Sequence, residues 1–190
     1  MLHQMQMSGN CYKVRLAAHQ LGIPLTIKEY GLHDGDTRVP LLELDDGRCL
    51  PESGAILFYL SEGSHLQPAD KWARAEMMQW MFFEQYSHEP SVAVMRYLKS
   101  YATPEIREKR SAQFIELTEQ GNAALAVMEK HLANRAWFAG DRYSIADIAL
   151  YGYTHAAEEG GFELTNYRNV SAWLARVASQ PDHVSLSAIP

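Results

Sequence analysis

Apolar positions follow two rhythms in the first third of the chain. Val14, Ala17, Ala18 and Leu21 fall at i, i+3, i+4 and i+7, so the spacing predicts a helix over residues 10–21. Gly22 stops it and Pro24 enforces the stop. Residues 25–30 alternate apolar and polar, which predicts a strand. Residues 33–36 read as a loop. A second strand is expected over 39–44, a hairpin turn at Asp45-Asp46-Gly47 and a short third strand over 48–50. Residues 1–7 supply a further short strand candidate. Pro51-Glu52-Ser53-Gly54 then turns straight into the apolar run Ala55 to Leu60, a helix ending near Gly63.

The rhythm changes after Gln67-Pro68. Strand signals nearly vanish, and Trp72, Ala75, Met78, Gln79, Phe82, Phe83 and Tyr86 mark a long helix with an aromatic stripe. Pro104 opens another helix that reaches towards Leu132, Ser144 opens a third, and residues 166–179 form a last one closed by Gln180-Pro181. The chain divides near residue 66. Residues 1–66 make a small unit of mixed strands and helices, and residues 67–190 an all-helical one.

Composition narrows the classes of function. With 190 residues, 47% apolar and 21% charged, the chain is ordinarily globular and long enough for two small cores. Its net charge of −6 argues against nucleic acid, which needs a basic surface. Cys11 and Cys49 are the only cysteines, so structural zinc and a dithiol centre are not expected, and two lone thiols fit a reduced cytosol. The N-terminus has no basic region followed by a sustained apolar run, and no apolar run approaches a membrane span. A cytoplasmic protein without membrane or nucleic-acid partners is the expectation.

Three stretches carry candidate chemistry. At Pro51–Gly54 a helix start offers unpaired N–H groups and the positive dipole end to a carboxylate, while Glu52 adds a charge suited to an ammonium. Together they suit an amino-acid head group; the alternative is that Ser53 only caps the helix. Ser8-Gly9-Asn10-Cys11-Tyr12 places hydroxyl, amide, thiol and phenol at another helix start, where an anion such as a thiolate is stabilised. Capping by Ser8 or Asn10 is the alternative there, and Cys11 reads more readily as a buried structural residue than as a nucleophile. At Val39-Pro40 a cis bond would turn the Val39 backbone outward to pair with an extended peptide. Ser144 and Asp147, by contrast, have the spacing of a capping box, with Tyr143 and Ile148 as a hydrophobic staple, and are expected to be structural.

In this order, Ser8-Gly9-Asn10-Cys11-Tyr12-Lys13-Val14-Arg15-Leu16, Val39-Pro40, Leu50 to Ile56, Phe82 to Tyr86 and Gly140 to Asp147 resemble the glutathione transferase superfamily, and its bacterial members most. The resemblance spans nearly the whole chain. It implies a fold of α/β plus all-α class: a thioredoxin-like N-terminal domain, an all-helical C-terminal domain and a homodimer. It implies glutathione as co-substrate, no metal and no permanently bound cofactor. By position, Glu52 and Ser53 resemble the residues that hold the γ-glutamyl group, and Val39, before Pro40, the backbone clamp on the cysteinyl part. Ser8 resembles the hydroxyl that stabilises the thiolate in serine-type members, with Asn10 as its rival. The second substrate, a hydrophobic electrophile, would sit near Tyr86 and Met95-Arg96-Tyr97. The implied reaction is conjugation of glutathione; a non-catalytic binding module and a glutathione-dependent disulfide reductase or lyase are the alternatives.

One departure stands out. The family usually carries roughly a dozen more residues before the Val-Pro pair, forming an irregular helix over the glycine end of glutathione. Only His33 to Arg38 separate Leu32 from Val39 here. Six residues span roughly 20 Å when extended, enough to connect the sheet but not to build that helix. Either the segment has been lost or the sequence omits it; if it has been lost, the glycine carboxylate lacks its usual partners.

Overall fold

The computed structural model describes residues 1–31 and 38–188. Four short strands, β1 (Leu2–Gln4), β2 (Ile27–Glu29), β3 (Leu41–Glu43) and β4 (Cys49–Pro51), form one mixed sheet in the order β2-β1-β3-β4. β1 runs parallel to β2 and antiparallel to β3, and β3 pairs antiparallel with β4. The parallel pair needs a crossover, which α1 (Gly9–Gln20) supplies. α2 (Ser53–Leu60) follows β4. Leu2, Val14, Leu42 and Ile56 close a small core between sheet and helices. This is the expected thioredoxin-like arrangement, with β1, β2 and β3 shorter than expected and β4 displaced by one residue from 48–50. The expected loop at 33–36 and most of the short connection to Val39 lie outside the described residues.

The second unit is helical: α3 (Lys71–Phe83), α4 (Glu89–Ser100), α5 (Pro104–Lys109), α6 (Phe114–Leu132), α7 (Ile145–Thr154) and α8 (Arg168–Ala178). The single helix expected from Pro104 to Leu132 is broken. α5 ends after one and a half turns, and a short 3-10 turn at Ser111–Gln113 precedes α6. α5 buries no residue, so nothing holds a continuous rod there.

The aromatic stripe of α3 is also corrected. Trp72, Phe82 and Tyr86 point outward, 73%, 66% and 87% exposed, while Met77, Trp80 and Met81 form the buried face. Both sets recur at helical spacing, and only packing distinguishes them. α3 passes into α4 through one π-helical turn, Glu84–His88, which turns Glu84 and His88 inward. Such a widened turn re-aims side chains that a regular helix would carry past.

α7 starts as the sequence predicts. The Ser144 hydroxyl accepts from Ala146 N–H at 3.3 Å, and Asp147 accepts from Ser144 N–H at 3.0 Å. Asp147 also accepts from the Trp173 indole at 2.9 Å and Phe138 N–H at 3.3 Å, which ties α7 to α8. Burial nonetheless pushes its carboxyl up to about 7, against these donors.

α1 and α7 join the two units, and glycines set their separation. A Cβ on Gly9 would meet the Gly152 carbonyl at 2.5 Å, and one on Gly152 would meet Lys13 Cγ at 2.6 Å. Lys13 runs through this contact, fully buried, and donates to Glu84 Oε1 and Asn10 Oδ1, each at 2.7 Å. Burial raises the Glu84 carboxyl while Lys13 pulls it down.

His88 is fully buried beside them. Its Nε2 lies 3.0 Å from Thr154 Oγ1, and that hydroxyl already donates to the Leu150 carbonyl at 2.7 Å. The ring therefore donates through Nε2–H, and its unpartnered Nδ1 marks a neutral imidazole.

Two outcomes follow from this packing. Lys13→Met strands the Glu84 carboxylate and should cost about 3–5 kcal/mol in urea unfolding, whereas Lys13→Met with Glu84→Leu removes both charges and should lose less. Burial, and then the Lys13 charge, hold the folded His88 down at about 3 against an ordinary 6.5. Below pH 6.5 the unfolded chain takes up a proton at His88 that the folded chain refuses, so the His88 contribution to stability falls as pH drops towards 3, against the opposite contribution of Asp147, whose raised carboxyl takes up a proton on folding. The slope is about 1.4 kcal/mol per pH unit, and His88→Gln should flatten the curve by that amount between pH 6 and 4.

Candidate functional site

Ser8 stands between β1 and α1 with extended backbone, and its Oγ accepts from Cys11 N–H at 3.3 Å. It thus caps α1, and its own hydroxyl proton is left for Tyr153 or for a ligand. Asn10, the second residue of α1, is held from three sides. Its Oδ1 accepts from Lys13 Nζ at 2.7 Å and from Ser53 Oγ at 3.3 Å, and its Nδ2 reaches Glu89 Oε1 at 3.4 Å.

The Pro51–Gly54 corner departs from simple capping. Ser53 is the first residue of α2, not its cap, and its hydroxyl is spent on Asn10. Glu52 takes the cap position without a side-chain cap bond, at φ 71° and ψ 116°. A non-glycine residue there stores about 1–3 kcal/mol of backbone strain, and such strain gathers at binding sites. The first N–H groups of α2 are left open to a ligand.

These elements enclose a pocket of about 570 Å³ lined by Ser8, Asn10, Val39, Pro40, Glu52 and Ser53, together with Met5, Arg38, Pro51 and Gln85. The Val39–Pro40 bond is cis. Six of the seven residues singled out in the sequence thus meet at one cavity. Arg38 and Gln85 were not anticipated. Gln85 comes from the π-helical turn of the other unit, so no local pattern announces it; Arg38 is a lone cation directly before Val39, a signal visible only in hindsight.

A second pocket of about 280 Å³ opens on the other side of Ser8. Met5 and Ser8 line both cavities. Its remaining wall is largely apolar and aromatic: Met7, Ala93, Tyr97, Tyr101 and Tyr153, with Gln6, Glu29 and Arg96. Arg96 is buried and fully engaged, donating to Glu159 Oε2, the Met7 carbonyl and the Tyr101 hydroxyl, each at 2.8 Å. It thereby ties α4 to the turn that presents Ser8.

Tyr86 is the seventh residue, and it lies elsewhere, on a groove with Phe83, Pro90 and Val127. It stands on the exposed side of the π-helical turn. Of the neighbours expected around the second substrate, Arg96 and Tyr97 reach the apolar pocket, while Met95 packs into the core. Cys11 lines neither cavity. It is buried, its Sγ accepts from Met5 N–H at 3.4 Å, and burial raises its pKa, as befits a structural thiol. Among the described residues no group of three or more His, Cys, Asp or Glu is placed to hold a metal, and no helix is long and apolar enough to cross a membrane.

The arrangement joins a polar cavity, with two helix N-termini and charges of both signs, to an apolar one, with the Ser8 hydroxyl at their junction. Comparison with known proteins agrees. Residues 2–66 match the family model for the glutathione S-transferase N-terminal domain, and residues 78–181 that for the C-terminal domain. A glutathione S-transferase from Pseudomonas fluorescens is 43% identical, with a TM-score of 0.92 and 97% of each chain covered. A second glutathione transferase family member from that organism, solved with two glutathione molecules bound, is 26% identical, with a TM-score of 0.78 over 95% of this chain and 88% of its own. The disulfide-bond oxidoreductase YfcG of Escherichia coli is 30% identical over 131 residues, which are 68% of this chain and 59% of that protein's length. Its two domains, their order and these likenesses agree: the chain belongs to the glutathione S-transferase family.

Proposed function

We propose that this protein is a glutathione transferase that ionises the glutathione thiol at Ser8 and delivers the thiolate to a hydrophobic electrophile. The observation that carries this reading is the shared position of Ser8, which lines both the polar and the apolar cavity. Glutathione would lie in the larger cavity. Its γ-glutamyl carboxylate would meet the open backbone N–H groups of α2 that begin at Ser53, with its ammonium at Glu52. The cysteinyl backbone would pair with Val39, and the sulfur would reach Ser8. The electrophile would then approach from the side of Tyr97 and Tyr101.

Between Ser8 and Asn10, hydrogen bonding favours Ser8. The Asn10 oxygen is filled by Lys13 and Ser53 and its amide turns to Glu89, whereas the Ser8 hydroxyl stands at the junction of the two cavities, outside that network, with only Tyr153 beside its proton. Asn10 acts instead as a strut that orients Ser53. A hydrogen bond to the sulfur anion favours ionisation, and a thiolate is the reactive nucleophile.

Two further parts of the reading rest on the surface and the thiols. The exposed Phe58, Phe82 and Tyr86 offer apolar area that a second copy of the chain would cover. Both cysteines are free, which fits a reducing cytoplasm. Disulfide reduction is the second reading, favoured by the likeness to the E. coli oxidoreductase. No described cysteine lines either cavity, so glutathione itself would supply the attacking sulfur in that case.

Calorimetry with millimolar glutathione should show binding; no heat would remove the reading altogether. Turnover of a generic aryl halide near neutral pH should fall roughly three- to tenfold in Ser8→Ala, because loss of one hydrogen bond to a charged group leaves about ten- to a hundredfold less thiolate, partly offset by its higher reactivity. Asn10→Ala should act mainly on glutathione affinity. If the two effects exchange places, the thiol-activating role belongs to Asn10. Glutathione-dependent reduction of a disulfide substrate without any conjugation would select the second reading. Glu52→Gly should weaken glutathione binding tenfold or more, yet leave the melting temperature unchanged or higher, because glycine relieves the strained backbone.

A further inference from the structure

Tyr153 lies in the last turn of α7, against the start of α1. A Cβ on Gly9 would stand 2.6 Å and 2.7 Å from two of its ring carbons, and the Lys13 ammonium sits 5.4 Å from its ring centroid. The residue is 8% exposed, and what it exposes lines the apolar pocket beside Ser8. Its hydroxyl faces the Ser8 hydroxyl and the backbone N–H of Asn10. Both neighbours lower the phenol's ionisation, as donors towards its oxygen do, which leaves the phenol proton for an acceptor in the pocket. Burial, reinforced by the Glu89 charge, raises the phenol's ionisation above its ordinary range, while Ser8 and the Asn10 N–H oppose the rise. The group therefore stays a donor at any working pH.

We propose that Tyr153 is a catalytic residue, whose O–H donates to the glutathione sulfur alongside Ser8 and so holds the thiolate where the two cavities meet. This rests on the glutathione-transferase reading of the site. The chemistry balances without another reagent. The thiol proton passes to solvent, the sulfur lone pair forms the new bond to the electrophilic carbon, and that carbon's leaving group or π electron pair departs. Both hydroxyls lose their charged acceptor as the bond forms. A sulfur anion held by two donors is more abundant at neutral pH but individually less reactive, since nucleophilicity falls with thiol pKa at a slope of about 0.4–0.5 in thiol–disulfide exchange.

The test is Tyr153→Phe, which keeps the ring on Gly9 and removes only the hydroxyl. Titration of bound glutathione by thiolate ultraviolet absorbance should show its thiol pKa raised by about one unit, the value of one charge-assisted hydrogen bond. The pH–rate profiles should then cross. Near neutral pH the variant should be roughly threefold slower, because tenfold less thiolate is partly offset by its higher reactivity; above the variant's thiol pKa it should be as fast as the parent or faster. S-methylglutathione, which has no thiol, should bind parent and variant alike. An unchanged thiol pKa in the variant, with parent binding intact, overturns the role of Tyr153 and leaves the reading of the site standing. A parallel loss of S-methylglutathione affinity also overturns it, because the hydroxyl would then serve packing alone. A parent that takes up no glutathione refutes the site reading itself, and this proposal with it.

Discussion

Lys13 carries a charge fully inside the molecule, shared between Glu84 and Asn10 at 2.7 Å each. A buried ammonium is tolerable only when paired and hydrogen-bonded, so this contact dictates much around it. Glu84 must turn inward, and the π-helical turn between α3 and α4 gives it that direction. The two helices that enclose the lysine stem must approach closely, and Gly9 and Gly152 allow it. Asn10 must present its oxygen to the ammonium, which fixes its amide and leaves one more lone pair for Ser53.

The consequence reaches the site directly. Ser53, Asn10, Lys13 and Glu84 form one hydrogen-bonded chain from the strained Glu52 corner to the helical unit. The corner and the Ser8 turn thus belong to a single frame, although they are more than forty residues apart in sequence. The other half of the frame is Arg96, which binds the Met7 carbonyl and steadies the turn before Ser8. Two buried cations on helices of different units therefore hold the two sides of the Ser8 turn. Rigid support of this kind is what a site needs if its donors are to be aimed before the ligand arrives.

The pattern of the chain made several of these parts legible. The Ser8, Val39-Pro40 and Glu52-Ser53 stretches lie at helix starts or strand edges, where unpaired backbone groups and short polar side chains gather, and all of them line one cavity. The capping box at Ser144 and Asp147 was equally plain, because its chemistry is local. Tyr86 misled for a physical reason. On α3 and the turn after it, two faces carry large apolar residues at helical spacing, and periodicity alone cannot tell which of them meets the core. Gln85 and Tyr153 carried no signal, since each reaches the site only through packing of the helical unit against α1.

The sequence alone determined the strands and most of the helices, how they divide into a mixed α/β unit and a helical unit, and which helix starts are fit for an anion, because these depend on neighbours a few residues apart. The tertiary structure decided which aromatic face of α3 is buried, that Ser53 bonds Asn10 rather than capping its helix, and that a tyrosine from α7 stands beside Ser8. Those outcomes depend on where a buried lysine finds its partners and how closely two glycines let their helices approach, which are contacts between residues more than seventy positions apart.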